Sequence, residues 1–125
     1  MNVVVKQRGN FKRFSKLLDQ YVDGILPDLN VYGKMGVDAL QNSTPVDSGL
    51  TAMSWDYKIE KVSNGVRLSW FNTNVQNGYN IALLIQYGHG TTSGGYVSGR
   101  DYINPALKPI FNEIEKLVIS EVQKL

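Results

Sequence analysis

The sequence predicts a single α+β domain of residues 1–125, in which helices at both ends flank an antiparallel, hairpin-based β-sheet. Two strictly alternating apolar segments in the middle of the chain predict the strands. The C-terminal segment carries an apolar stripe at helical spacing, which is typical of an amphipathic helix packed across a sheet. With 125 residues, 42% of them hydrophobic, the chain is long enough to bury one core.

The N-terminal third predicts two helices that follow a short arm, residues 1–9. Apolar residues recur at helical spacing over residues 11–22, and Asn10 precedes them as an N-cap. Gly24 and Pro27 are expected to interrupt this helix, because proline lacks the backbone N–H and glycine has low helix propensity. A second helix is expected to run to about Asn42.

Two glycines, Gly33 and Gly36, fall inside this second helix. Each weakens a helix by roughly 1 kcal/mol relative to alanine. We prefer the interpretation of a marginal helix, and close packing against a neighbouring element is the alternative.

The segment Thr44 to Gly49 predicts a turn. Pro45 disfavours the helical conformation at the preceding residue. Asp47 is suited to accept hydrogen bonds from the backbone two residues on, and Gly49 is suited to a positive φ.

The middle of the chain predicts a hairpin, then a loop, then a buried apolar run. Residues 53–60 and 66–70 alternate apolar and polar side chains, and residues 63–65, Ser-Asn-Gly, supply the turn. Residues 72–80 are rich in Asn and Gly and predict an exposed loop. The run 81–85 is compatible with a short helix or a central strand, and we prefer a short helix ended by glycine.

A glycine-rich stretch, residues 88–103, predicts a long flexible loop before the final helix. Asn104 is expected to cap that helix, Pro105 to take its first position, and Pro109 to lie near its first turn. Its apolar stripe consists of Leu107, Ile110, Phe111, Ile114, Leu117, Val118 and Val122.

Composition and charge exclude several kinds of site. The 13 basic and 11 acidic residues give a net charge of +2, too small to identify a nucleic-acid binder. The absence of cysteine and the single histidine, His89, exclude disulfides and multi-histidine metal sites, so we expect neither metal nor cofactor. No apolar run suits a signal peptide or a membrane span, so we expect a protein of the cell interior without membrane contact.

The glycine-rich stretch lacks the Gly-Lys-Ser/Thr sequence of a phosphate-binding loop. His89 with Asp101, or with Asp47 and Ser48, would be the basis of a small hydrolase, but no nucleophile elbow is present. We therefore expect no catalytic residues, with His89 a hydrogen-bonding loop residue and Asp47 a turn cap.

Two segments resemble the phage neck and minor tail component family, which includes the head–tail joining proteins of long-tailed bacteriophages. The first, Thr44-Pro45-Val46-Asp47-Ser48-Gly49 and on to Trp55, is similar to the family's Thr-Pro-Val-Asp-Thr-Gly pattern that leads into a strand. The second runs from Gln86-Tyr87-Gly88-His89-Gly90-Thr91 to Asn104-Pro105-Ala106-Leu107 and Pro109-Ile110-Phe111. It looks like the family's aromatic-glycine turn, loop and Pro-Ala-Leu helix start. Ser48 stands where the family often has Thr, and Gln86 where an acidic residue is common.

The resemblance implies a structural virion protein without catalysis, made in the host cytoplasm and assembled into the neck as one subunit of a homo-oligomeric ring. Its partners would be portal, adaptor or head-closure proteins on one side and tail terminator or tube proteins on the other, with DNA passing through the lumen. A tail terminator or tail completion protein is the nearest alternative, and a small hydrolase or monomeric binding module the alternative from another class. The candidate interface or family-motif residues are Thr44, Pro45, Asp47, Gly49, Trp55, Tyr87, Gly88, His89, Gly90, Thr91, Gly94, Gly95, Tyr96, Arg100, Asp101, Asn104 and Pro105.

Overall fold

The computed structural model describes residues 2–6, 15–45, 49–62 and 65–123, which form an α+β fold with a C-terminal helix against antiparallel strands. The predicted fold class is therefore confirmed. In chain order the elements are β1 (Asn2–Lys6), α1 (Ser15–Ser43), a 3-10 helix (Ala52–Ser54), β2 (Trp55–Val62), β3 (Gly65–Asn72), β4 (Val75–Gln76), β5 (Tyr79–Asn80), α2 (Ile81–Tyr87), β6 (Gly88–Gly90), β7 (Tyr96–Ser98) and α3 (Ile103–Gln123).

The main sheet has the strand order β1-β3-β2, and both pairings are antiparallel. The β2–β3 hairpin is confirmed, although its predicted turn residues 63 and 64 lie outside the described residues. Val66, Leu68 and Trp70 alternate along β3 and are buried, because the pleat sends every second side chain to the same face. The N-terminal arm contributes β1, which pairs with the central strand β3.

Helix α1 is continuous from Ser15 to Ser43, so the predicted interruption at Gly24 and Pro27 is wrong. Gly24 and Pro27 lie on the exposed face, while Ile25 and Leu29 on either side of Pro27 are buried in the core. Packing of this buried face outweighs the one backbone hydrogen bond that proline removes. The predicted helix start at residues 10–14 lies outside the described residues.

The two glycines in the second half of α1 allow the sheet to approach the helix closely. A Cβ at Gly33 would overlap the ring of Tyr57, and a Cβ at Gly36 would overlap the indole of Trp70. The indole N–H of Trp70 donates to the Gly33 carbonyl oxygen at 2.9 Å. Close packing, the alternative interpretation of these glycines, is therefore the correct one.

Helix α3 packs against α1 and the sheet through the described part of its apolar stripe, as predicted; the Val122 side chain lies outside the described residues. The rings of Trp70 and Phe111 lie 5.9 Å apart between centroids. The helix begins at Ile103, so Asn104 and Pro105 lie within its first turn rather than at the N-cap and first position. The backbone N–H groups of Tyr102 and Ile103 are satisfied from α2 instead of by a local cap, as described below.

The segment between β3 and α2 is a second hairpin, β4–β5, rather than the predicted exposed loop. Asn77 and Gly78 at its turn both have positive φ, 52° and 82°. That combination is typical of the tight hairpin turns that Asn-Gly favours. The following apolar run forms helix α2 and ends at Gly88, which confirms the preferred interpretation of residues 81–85.

Candidate subunit interface

The first family-like segment begins at a buried corner between α1 and β2. The Thr44 hydroxyl donates to the Leu40 carbonyl oxygen at 2.5 Å and accepts from the Trp55 indole N–H at 2.8 Å. Thr44 is 3% exposed and Trp55 is 6% exposed. These two predicted interface residues therefore hold the end of the helix against the sheet and contribute no outer surface.

A buried polar network ties the turn after this corner to the β4–β5 hairpin. The Asn72 amide donates to the Thr51 carbonyl oxygen at 2.8 Å, and the Asn74 amide donates to the Thr51 hydroxyl at 2.9 Å. The backbone N–H of Asn74 donates to the Asn72 side chain at 2.9 Å. Sequence reasoning missed both asparagines, since nothing in an Asn- and Gly-rich stretch separates a buried, satisfied amide from a solvated one.

The two family-like segments meet at one groove of about 500 Å³. Pro45, Gly49 and His89, all predicted site residues, line it together. Gly49 has the predicted positive φ of 81°. The remaining lining residues are Leu50, Thr51, Asn74, Gln76, Ile81, Leu84 and Ile85. Asp47 lies outside the described residues, so its predicted role as a turn cap stays a prediction.

Gln86 joins the second segment to helix α3. Its amide N–H donates to the Asp101 carboxylate at 2.7 Å, and its carbonyl oxygen accepts from the backbone N–H groups of Tyr102 and Ile103, each at 3.0 Å. Asp101 also accepts from the Asn104 amide at 3.1 Å. Gln86 thus satisfies N–H groups at the start of α3, which would otherwise lack partners inside the helix.

Tyr102 lies in the same joint and is buried. Its hydroxyl donates to the Ala82 carbonyl oxygen at 2.8 Å. Burial raises the pKa of Tyr102 to about 12, because the phenolate would lose its hydration there. The side chain therefore acts as a neutral hydrogen-bond donor that links α2 to α3.

The glycine-rich stretch contains a hairpin, β6–β7, and the prediction of a loop without secondary structure is wrong for residues 88–98. Thr91 organises its turn: its backbone N–H donates to Gly95 O at 2.9 Å, and its hydroxyl accepts from Gly95 N at 3.0 Å. Gly94 takes a φ of 86° in this turn, and Gly90 pairs with Tyr96 across the strands. Short side chains and glycines here permit a tight connection.

The base of this hairpin is packed without room for a side chain at Gly88. A Cβ there would lie 2.5 Å from the Val97 carbonyl oxygen and 2.6 Å from Gly99 N. The Tyr96 hydroxyl donates to the Tyr87 carbonyl oxygen at 3.0 Å, and Arg100 N donates to Ile85 O at 2.9 Å. The hairpin is therefore attached to the C-terminal end of α2 in a defined direction.

Exposed apolar side chains lie on the segments that line the groove or form the β4–β5 and β6–β7 hairpins. Tyr87 and Tyr96 are 69% and 66% exposed. The Asn74–Thr51 bond joins the segment before β2 to the β4–β5 hairpin. The Tyr96–Tyr87 bond joins β7 to the end of α2. We call the set the apolar end surface; its members are Leu50, Met53, Val75, Tyr79, Leu83, Tyr87, Tyr96 and Val97.

Comparison with protein-family models, with curated proteins and with solved structures found no match to this chain.

His89 and Asp101, the residues considered for a hydrolase, are not arranged as a catalytic pair. Asp101 is hydrogen-bonded to Gln86 and Asn104, and no bond between Asp101 and His89 exists in the described part of the chain. The Nδ1 atom of His89 is buried and has no hydrogen-bond partner among the described residues. The side chains that the structure describes include no cluster of three His, Cys, Asp or Glu positioned to hold a metal ion.

The remaining predicted residues lie at the surface near the start of α3. Asn104 and Pro105 are exposed, and so is Arg100. Within the described ranges, none of the helices combines the length and apolarity needed to cross a membrane.

Proposed function

We propose that this chain is a structural subunit of the neck of a long-tailed bacteriophage, where copies form a ring that joins the head to the tail. The observation that carries the proposal is the apolar end surface, most of whose residues belong to the two segments that resemble the neck family. Those segments are separated by about thirty residues of sequence, yet Pro45, Gly49 and His89 line one groove.

The composition of this surface supports a protein partner. Tyrosine and methionine are enriched in the cores of protein interfaces. Tyr79, Tyr87, Tyr96 and Met53 are each more than 60% exposed. A tyrosine on an ordered hairpin loses little side-chain entropy when it is covered, since it has few rotatable bonds.

The geometry also suits a head-to-tail ring, in which each subunit uses two different patches. The β6–β7 hairpin extends from the end of α2, and residues 90–101 along it are exposed. A hairpin that the described part of the chain leaves exposed is well placed to contact a neighbouring subunit or an adjacent ring. The head-side partner would be a portal or adaptor ring and the tail-side partner a terminator or tube ring.

Native mass spectrometry and light scattering of the purified protein, alone and with candidate portal-adaptor and tail-tube proteins, test the proposal. A closed ring, alone or on a partner, supports it. A persistent monomer that binds none of these proteins would instead favour the monomeric binding module.

A matched pair of variants tests the apolar end surface itself. Tyr96→Ser removes the exposed ring and is expected to weaken association about tenfold or more, because truncation of a central aromatic at an interface costs well over 1 kcal/mol. Tyr96→Phe keeps the apolar ring and removes only the hydroxyl bond to Tyr87. It should associate nearly as well as the unmodified chain, and equal loss in both variants would indicate a structural effect instead.

A further inference from the structure

Among the residues that the structure describes, the two outer strands of the main sheet, β1 and β2, each have one edge without a partner strand. A groove of about 540 Å³ runs between the free edge of β2 and helix α1. Leu26 and Ile59 give it apolar walls, and the Tyr57 hydroxyl crosses to the Asn30 side chain at 2.9 Å. The groove therefore has a backbone edge on one side and a helix on the other, the arrangement that receives an added strand in β-augmentation.

Backbone hydrogen bonding identifies which residues of β2 face this groove. The N–H of Tyr57 donates to the neighbouring Asp56 carboxylate at 2.8 Å. In an antiparallel pair, successive residues alternate between bonding the partner strand and facing away from it. Tyr57, Ile59 and Lys61 therefore direct their backbone N–H and C=O groups away from β3 and towards the groove.

The same alternation identifies the free groups of β1. Ile59 pairs with Leu68, and Lys61 with Val66, so those two β3 residues face β1 instead. Their partners there are Val3 and Val5. The backbone N–H and C=O groups of Val4, which lies between them, point away from β3. Val4 is 40% exposed.

We propose that β1 of a second copy pairs with β2 in this groove, so that the sheets of neighbouring subunits join head to tail. The proposal rests on the proposed ring. Within one chain β1 and β2 run parallel, because both are antiparallel to β3. In a ring of identically oriented subunits the neighbour's β1 therefore lies parallel to β2.

Parallel pairing restricts the register, because a residue that faces the partner strand lies opposite one that faces away. Ile59 then lies opposite the neighbour's Val5, and Tyr57 opposite its Val3. This register matches apolar with apolar residues, and such cross-strand pairs stabilise a sheet.

Charge favours a second copy over an unrelated strand. Residues 1–14, which contain β1, carry Lys6, Arg8, Lys12 and Arg13 and no acidic residue. Both lysines of the groove are already paired with acids, Lys58 with Glu60 at 3.5 Å and Lys61 with Asp23 at 3.7 Å. Asp56 adds a further carboxylate at the groove. A basic N-terminal segment and a groove with one acid in excess attract each other.

Two proline substitutions test the proposal, since each removes one outward N–H from one edge and leaves the internal ladder intact. Val4→Pro disables β1 as a donor strand, and Ile59→Pro disables the groove edge of β2. Each variant alone is expected to lose assembly, with association weakened about tenfold or more. Val4→Ala and Ile59→Ala, which keep the N–H, are the controls and should still assemble.

An equimolar mixture of the two proline variants distinguishes a head-to-tail contact from any other. One intact edge remains on each variant, so the mixture is expected to form a dimer that grows no further in light scattering. Failure of the mixture to dimerise, or assembly of either proline variant alone, would overturn the proposal. If every variant formed rings, the strand pairing would be overturned and the neck function would stand. If the unmodified chain stayed monomeric with every candidate partner, both proposals would be overturned.

Amide hydrogen exchange on the unmodified protein gives a second readout that does not depend on whether the proline variants fold. The Ile59 and Lys61 amides should exchange slowly in the assembled protein and much faster after dilution to the monomer. Equal exchange in the two states would contradict pairing at this edge.

Discussion

Gly88→Ala is the substitution expected to separate association from folding. Gly88 has φ 80° and ψ 172°, a conformation essentially restricted to glycine that costs other residues about 1–3 kcal/mol. The added Cβ would also lie 2.5 Å from Val97 O and 2.6 Å from Gly99 N. Both are backbone atoms that cannot rotate away, and overpacking of this kind costs roughly another 1–3 kcal/mol. Together the two effects come to about 2–6 kcal/mol.

The β6–β7 hairpin has little stability with which to resist that cost. Its strands have 3 residues each, and residues 90–101 are exposed. An isolated two-stranded hairpin is marginal in water. We therefore expect the hairpin to open locally while the core remains folded. The melting temperature should stay within about 2 °C of the unmodified chain, and association should weaken by about 30-fold or more.

Gly94→Ala is the matched control. Gly94 also has a positive φ, 86°, but a Cβ there meets no described atom within 4 Å. Only the conformational cost of about 1–2 kcal/mol applies, at the tip of the hairpin. Light scattering of the assembled protein and amide exchange of the hairpin would measure both variants. Association of Gly88→Ala equal to that of Gly94→Ala, or global unfolding of Gly88→Ala, would refute the reasoning.

Three further predictions concern the scaffold. Gly36→Ala should destabilise the fold by about 2–3 kcal/mol in urea unfolding, since its Cβ overlaps the indole of Trp70. Gly24→Ala places a Cβ where no atom of the described residues lies within 4 Å, and it should stabilise α1 by up to about 1 kcal/mol in the same assay. Burial raises the pKa of Tyr102 to about 12, so its contribution to stability is complete below pH 10 and lost as pH rises from about 10 to 12. Denaturation curves measured across that range should show the loss in the unmodified chain and not in Tyr102→Phe. Gln86→Glu should cost about 2 kcal/mol at neutral pH, because it sets a second carboxylate against Asp101, and Asp101→Asn in the same chain should restore thermal stability.

The elements that sequence reasoning predicted well are those whose own side chains determine their structure. The alternating residues of β2 and β3 and the apolar stripe of α3 need only a surface to pack against. Both formed, although β2 begins at Trp55 and the predicted strand residues 53 and 54 lie in the 3-10 helix. Helix α2 was also predicted, since its apolar run ends at a glycine. Periodicity is a local signal, and the structure of these elements is determined by residues that are close in sequence.

The elements that were missed depend on contacts between distant residues. Pro27 stays inside α1 because Ile25 and Leu29 are buried against the sheet, and nothing local to the proline reveals that packing. Gly36 was interpreted as a weakness, although it is the space into which Trp70 fits. Asn77-Gly78 did carry a local hairpin signal, but the Asn- and Gly-rich composition around it was interpreted as an exposed loop.

The candidate site was predicted in part. Pro45, Gly49 and His89 do line one groove, so the two family-like segments mark a single region of the molecule. Thr44 and Trp55 are instead buried and bonded to each other. Residue type alone does not distinguish a tyrosine that remains exposed from a tryptophan that is covered, because both fit alternating strands.

The glutamine at position 86 joins the end of α2 to the start of α3 beside the hairpin. A carboxylate there could accept the two N–H groups at the start of α3, but it could not also donate to Asp101. The amide does both, so one side chain satisfies the helix start and orients Asp101, which in turn accepts from Asn104. Because buried polar groups are costly when any one lacks a partner, this set favours a single arrangement of α2 and α3. Gly88 follows α2 directly, and the direction of the β6–β7 hairpin is therefore determined by the same joint.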